Sequence, residues 1–257
     1  DGYRLVGTAQ ELVRAVAAGD LAVAFDIEGM NALDEAVDMV RLYYDLGVRQ
    51  MVLAYNLNNA AGGGCHDADT GLTDFGCAVI AEMNAVGMLV DCSHCGYRTS
   101  MGAMDCSKDP VIFSHSNARA LRDHERNIRD DQAVRCAATG GVIGVNGINQ
   151  FVGVVDISTA SIADHIDYYL DLVGGEHVGI GLDYFHATND GAGFEETLSG
   201  NDRYWPKSQY SGAKVRCAAP VQLQEVGEEM LRRNHPERVV ENVLGGNFRR
   251  VAGQVWK

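Results

Sequence analysis

No apolar run in these 257 residues reaches the roughly 18 that a bilayer-spanning helix needs, so no membrane span is expected. Bases are scarce: 21 Lys and Arg face 35 Asp and Glu, leaving a net charge of −14. A nucleic-acid partner would want a basic face, and an anionic membrane surface would repel this chain. Neither is expected. Proline is rare, and no Pro/Ser-rich linker interrupts the chain, so one domain over 1–257 is the simplest reading. The seven cysteines are an odd number scattered from Cys65 to Cys217, with no disulfide framework. Mostly reduced thiols in a cytoplasmic protein are the default. The first residues, Asp1-Gly2-Tyr3-Arg4, carry no initiator Met and no signal-peptide pattern, and do not read as a natural beginning. An export signal upstream would change the expected location to periplasmic or secreted. Gly62-Gly63-Gly64 is not followed by Lys-Ser/Thr, which excludes a phosphate loop. No G-x-S-x-G occurs, although Ser93, Ser114 and Ser116 flank histidines.

Apolar residues, by contrast, are plentiful at 46% and fall into short runs at 21–27, 49–54, 87–92, 110–114, 141–146 and 177–183. Each reads as a buried strand of a parallel sheet. Between them lie stretches of helical period. Leu33–Leu46 and Thr73–Val86 each place apolar residues on one face, and Asp74 and Asp130 stand near helix starts. Strand alternating with helix predicts α/β architecture. A closed (β/α)8 TIM barrel needs eight strands and about 250 residues. Six runs are present, and the C-terminal stretches Pro220–Arg233 and Pro236–Leu244 read as helices. The expectation is therefore strands three to eight, with the first two upstream of residue 1. The aperiodic stretch 184–219 is expected to form a lid or pocket wall.

Four runs end in residues able to bind or activate something: Glu28, His94, His115 and Asp183. The C-terminal strand ends of an α/β barrel are where its chemistry gathers. A carboxylate can bridge two cations, and neutral imidazoles suit zinc. A carboxylate not committed to metal, here Asp183, can take a proton from water. The bland alternatives are hydrogen-bonded histidines and carboxylates that cap the next helix. Strand alternation would point Asp26 the same way as Glu28, and Cys92 the same way as His94. The C-x-x-C of Cys92 and Cys95 lies in a strand's last residues, against a redox pair, and no second pair completes a structural zinc site. Cys65-His66-Asp67 reads as solvated loop, and His124, His165, His177, His186 and His235 as surface or helix residues. Arg126, in a charge-dense stretch, reads either as part of a solvated face or as a guanidinium that grips a substrate carboxylate.

Several stretches, taken in order, resemble the membrane dipeptidase (renal dipeptidase) family of zinc metallopeptidases, in a bacterial-type form. They are DIEG at 26–29, LAYNLNN at 53–59, GLTDFG at 71–76, GMLVDCSH at 87–94, PVIFSHSN at 110–117, RNI at 126–128, GGVIGVN at 140–146, HVGIGLD at 177–183 and LGGNFRR at 244–250. The resemblance implies a (β/α)8 barrel of the metal-dependent hydrolase type holding two Zn2+ ions. Glu28 would be the bridging ligand, and His94 and His115 would complete one metal's shell. Asp183 would hold the water or substrate and act as base, while Arg126 would grip the terminal carboxylate. The implied substrates are dipeptides, with tolerance for a C-terminal D-residue. A homodimer is compatible with this reading.

Two departures stand out. The family's H-x-D motif, which supplies the second metal, does not occur before Glu28; if it is truly absent, one metal is expected. Where the family often has a substrate-contacting His, this chain has Tyr55, whose phenol can donate one hydrogen bond but does not change charge near neutral pH. Other readings are the same barrel hydrolysing another small amide, lactone or ester, and a non-catalytic ligand-binding barrel.

Overall fold

The computed structural model describes residues 2–185, 200–210 and 214–257. Of the stretch 184–219 expected to form a lid, residues 186–199, with His186, and 211–213 lie outside them. The chain divides into two compact units, one of Asp1–Ile112 with Ala138–Gly141 and Phe248–Lys257, the other of Phe113–Ala137 with Val142–Asn247.

The first unit opens with β1 (Tyr3–Leu5), α1 (Ala9–Ala17) and β2 (Leu21–Val23), and β1 pairs parallel to β2. β3 (Phe25–Glu28), β4 (Val48–Val52), β5 (Leu89–Asp91) and β6 (Val111–Ile112) then form a parallel sheet in chain order. Its connections carry α2 (Met39–Asp45), α3 (Asp74–Val86) and α4 (Tyr97–Cys106). The run at 21–27 is two strands, β2 and β3, separated at Ala24. Nothing was expected before residue 21, yet β1 and α1 lie there. The signal for α1 is a capping box: Thr8 accepts from Glu11 N–H, and the Glu11 side chain accepts from Thr8 N–H. β1 has three exposed residues and no period to read.

The helix expected over Leu33–Leu46 starts later, at Met39. A 3-10 turn, Met30–Leu33, precedes it, and Asp34 and Glu35 take left-handed φ of 47° and 58°, which no α-helix accommodates. α3 matches expectation closely. Thr73 caps it by accepting from Gly76 N–H, and Gly87 ends it at φ 92°. Met51, Leu53, Ile80, Met83, Val90 and Ile112 are buried in this unit's core. One disulfide, Cys77–Cys106, ties α3 to α4. The remaining five cysteines, Cys92 and Cys95 among them, are not disulfide-bonded.

In the second unit, β7 (Ile143–Val145) pairs parallel to β8 (Val178–Ile180), and Phe113 bridges to Ile143. α5 (Asp130–Ala138) starts at the expected Asp130, and α6 (Asn149–Val152) and α7 (Thr159–Val173) carry the chain to β8. Helices Gln222–Arg232 and Glu237–Glu241 follow, near the two expected C-terminal helices. After Gly245, at φ 149°, the chain resumes as a helix over Asn247–Val255. The parallel α/β class is the one expected. Among the described residues, no helix is long and apolar enough to cross a membrane.

Candidate functional site

β4 to β8 end earlier than their apolar runs, and apart from Glu28 the chemistry lies just past the strands. Glu28 is the last residue of β3, while Tyr55, His94, His115 and Asp183 each stand three residues beyond the ends of β4, β5, β6 and β8. Strand alternation therefore applies to Glu28 but does not aim the other four side chains. His94 (φ 66°) and Asp183 (φ 57°) are left-handed, so each sits on a sharp turn that sets its own direction.

In the first unit, Glu28 Oε1 lies 3.7 Å from His94 Nε2. The His94 ring is nearly buried, and its other nitrogen, Nδ1, is 2.7 Å from Asn56 Oδ1. Tyr55 stacks on the same ring at 4.1 Å between centroids. Below the turn, buried Asp91 accepts from Ser93 N–H at 2.9 Å and from Gln50 Nε2 at 3.0 Å, shaping the backbone that leads into His94. The triple-glycine segment closes over the turn: Cys65 N–H donates to His94 O at 2.8 Å, and Gly64 pairs antiparallel with Cys95. Cys65 is thus part of the support of His94, and not only solvated loop. Asp26 is exposed on β3.

In the second unit, His115 is buried with Nδ1 2.7 Å from Ser114 Oγ. Gly181 passes so close to the Ser114 carbonyl that a Cβ would collide with it. Arg126 is buried, and its Nη2 donates to His115 O at 3.4 Å. Its guanidinium stands 5.2 Å from the Phe151 ring centroid. The bland reading of Arg126 as a solvated face is thereby removed. His124, expected at the surface or on a helix, is buried, and His165 lies on α7 as expected but on its buried face. Arg126 N–H donates to His124 Nδ1, so the other ring nitrogen, Nε2, donates to Gln209 O at 3.2 Å. Burial and the Arg126 charge lower the His124 pKa to about 4.

Asp183 Oδ2 accepts from Asn146 Nδ2 at 2.9 Å. Burial and the neighbouring Asp183 carboxylate push the Cys217 thiol up to about 11, so it stays protonated and is a poor nucleophile. Asn56 and Asn146 were missed by sequence reasoning, which searched for titratable groups. Both lie inside the stretches that carry the family resemblance.

Parallel strands with carboxylate and imidazole groups at their C-terminal ends define the α/β barrel class with metal-type ligands. The family model of the membrane dipeptidases (Peptidase family M19) matches residues 1–201, and this chain belongs to that family. It is 34% identical to dipeptidase 3 of Rattus norvegicus over 246 residues, covering 91% of this chain and 45% of the rat protein. The chain spans about half the length of the curated relatives it matches. Among solved structures, an amidohydrolase of Pseudomonas aeruginosa is 30% identical with a TM-score of 0.91, over 99% of this chain and 79% of that one. A metallo peptidase of Rhodobacter sphaeroides, liganded with a phosphinate mimic of the dipeptide L-Ala-D-Ala, shares the fold at 22% identity and a TM-score of 0.79, covering 99% and 69%.

Proposed function

We propose that this chain forms a metal-dependent dipeptidase that hydrolyses the amide bond of dipeptides, including those with a C-terminal D-residue. Glu28, His94 and His115 are the proposed metal ligands, zinc is the metal expected, and the second ion of the family would need ligands outside these three. The observation that carries the reading is the Glu28–His94 pair. At 3.7 Å, Oε1 and Nε2 are too far apart for a hydrogen bond. Two ligands each about 2.1 Å from one tetrahedral ion stand roughly 3.4 Å apart, close to this spacing. A carboxylate oxygen and a neutral imidazole nitrogen are the donors such an ion takes.

A bound metal supplies Lewis-acid polarisation of the scissile carbonyl and a more acidic water. The chain's own groups do the rest. Arg126 holds the C-terminal carboxylate of the substrate in a bidentate pair. Tyr55, pinned on His94, offers one phenolic hydrogen bond. Asp183 takes the proton from the attacking water and returns it to the leaving amine as the C–N bond breaks.

The test is elemental analysis of the purified protein together with turnover of L,L- and L,D-dipeptides. The ligand held by the Rhodobacter relative motivates the L,D set, and esters and lactones test the alternative substrate class. Chelator-sensitive cleavage of dipeptides, lost in Glu28→Gln, is the expected result. Full activity in Glu28→Gln overturns the assignment, and faster turnover of esters or lactones replaces the substrate class. Ligand binding without turnover favours the non-catalytic reading.

A further inference from the structure

We propose that Asn56 is a positioning residue that fixes the tautomer of His94, so that Nε2 and not Nδ1 carries the lone pair. The consequence for metal binding rests on the function proposed above; the tautomer itself does not.

Asn56 is fully buried, and its Oδ1 lies 2.7 Å from His94 Nδ1. An amide oxygen only accepts, so Nδ1 must carry the hydrogen. The opposite tautomer would set two lone pairs against each other at that distance. With Nδ1–H committed to Asn56, the Nε2 lone pair is left on the side of Glu28 Oε1. Ser114 beside His115 imposes no such choice, because a hydroxyl both donates and accepts.

The amide is itself held in place. Asn56 adopts φ 57°, a left-handed conformation that Asn tolerates and most residues do not. Its carbonyl accepts from His66 N–H at 2.7 Å, and Cys65 Sγ approaches Oδ1 at 3.5 Å. Gly64 lies directly on the Asn56 backbone, where a Cβ would overlap the carbonyl. Cys65 N–H holds His94 O in turn. One short segment, Gly64–His66, thus holds both partners of the Nδ1 hydrogen bond, and the Tyr55 ring limits rotation of the imidazole.

The experiment is 15N NMR of histidine-labelled, metal-free protein, with the His94 signal assigned by His94→Gln, followed by zinc titration against a chelator. Wild type is expected to show the Nδ1–H tautomer. Asn56→Gly keeps the left-handed backbone but removes the acceptor. It should lose the tautomer preference and weaken zinc binding by about 10- to 100-fold, the usual effect of removing such a partner. Asn56→Asp restores the acceptor and should restore both. A Nε2–H signal in wild type overturns the proposal, as does Asn56→Gly with wild-type tautomer and affinity. If wild type binds no zinc, the metal reading fails, while the NMR result still decides the role of Asn56.

Discussion

Asn146 Nδ2 donates to Asp183 Oδ2 at 2.9 Å, from a side chain that is itself held on every side. Asn146 Oδ1 accepts from Ile148 N–H at 2.6 Å. Its backbone exchanges two hydrogen bonds with the Asn117 amide, N–H to Oδ1 at 2.9 Å and O from Nδ2 at 3.1 Å. The carboxylate proposed as base is thus aimed by a fixed donor just past the end of β7. Asn146→Ala should lower kcat on a cleaved dipeptide by about 10- to 100-fold with little change in KM, since a misaimed base slows the chemical step and not binding. Steady-state kinetics check it, and an unchanged kcat would separate Asn146 from the reaction.

Acid should weaken the fold through His124. A histidine in the unfolded chain takes its proton near pH 6.5, whereas burial and the Arg126 charge hold the folded one to about 4. Between those values the unfolded state binds more protons, so stability falls as pH falls and is intact above 6.5. Each pH unit between them costs about 1.4 kcal/mol, so the loss through this residue is on the order of 3 kcal/mol. Buried His165, also lowered chiefly by burial, adds in the same direction. Urea unfolding across pH 4–7 should show the slope, and His124→Gln should flatten it.

These two features differ in how far the sequence disclosed them. Alternating apolar runs and amphipathic stretches carry a period, so the parallel α/β class and α3 were legible. Glu28, His94, His115 and Asp183 stood out because ionisable groups at run ends are conspicuous. The supports did not. Asn56, Asn117 and Asn146 have no charge or period, and their roles exist only once distant segments fold together. Strand parity does not carry to His94 and Asp183 for a local reason: β5 and β8 end three residues before them, and both residues turn left-handed. The Cys77–Cys106 pair is 29 residues apart and visible only once α3 and α4 lie side by side.

Arg233 ties two helices of the second unit together. It donates to Asp164 at 2.8 Å, Asp167 at 2.7 Å and Glu229 at 2.8 Å, and to Ala160 O at 3.1 Å, joining α7 to the helix Gln222–Arg232. Single exposed pairs contribute little, but here one guanidinium serves three carboxylates and is only 23% exposed. Arg233→Met should destabilise the protein by about 1–3 kcal/mol, read as a lower urea midpoint at unchanged m-value. Arg233→Lys should recover only part of it, because an ammonium cannot reproduce the planar fork.

Arg126 separates a substrate-binding role from a structural one. Its guanidinium is buried between the His115 carbonyl and the Phe151 ring, so removing it disturbs packing as well as charge. Arg126→Lys keeps the charge and most of the stem but loses the bidentate geometry. If the guanidinium grips the substrate's carboxylate, this variant should raise KM by about tenfold or more for dipeptides with a free C-terminus. Their C-terminal amides, which lack that carboxylate, should change little. The two substrate series respond differently only when the lost interaction is with the carboxylate itself. An equal loss on both would mean that Arg126 serves the fold through His115 and Phe151, and that the carboxylate is held elsewhere.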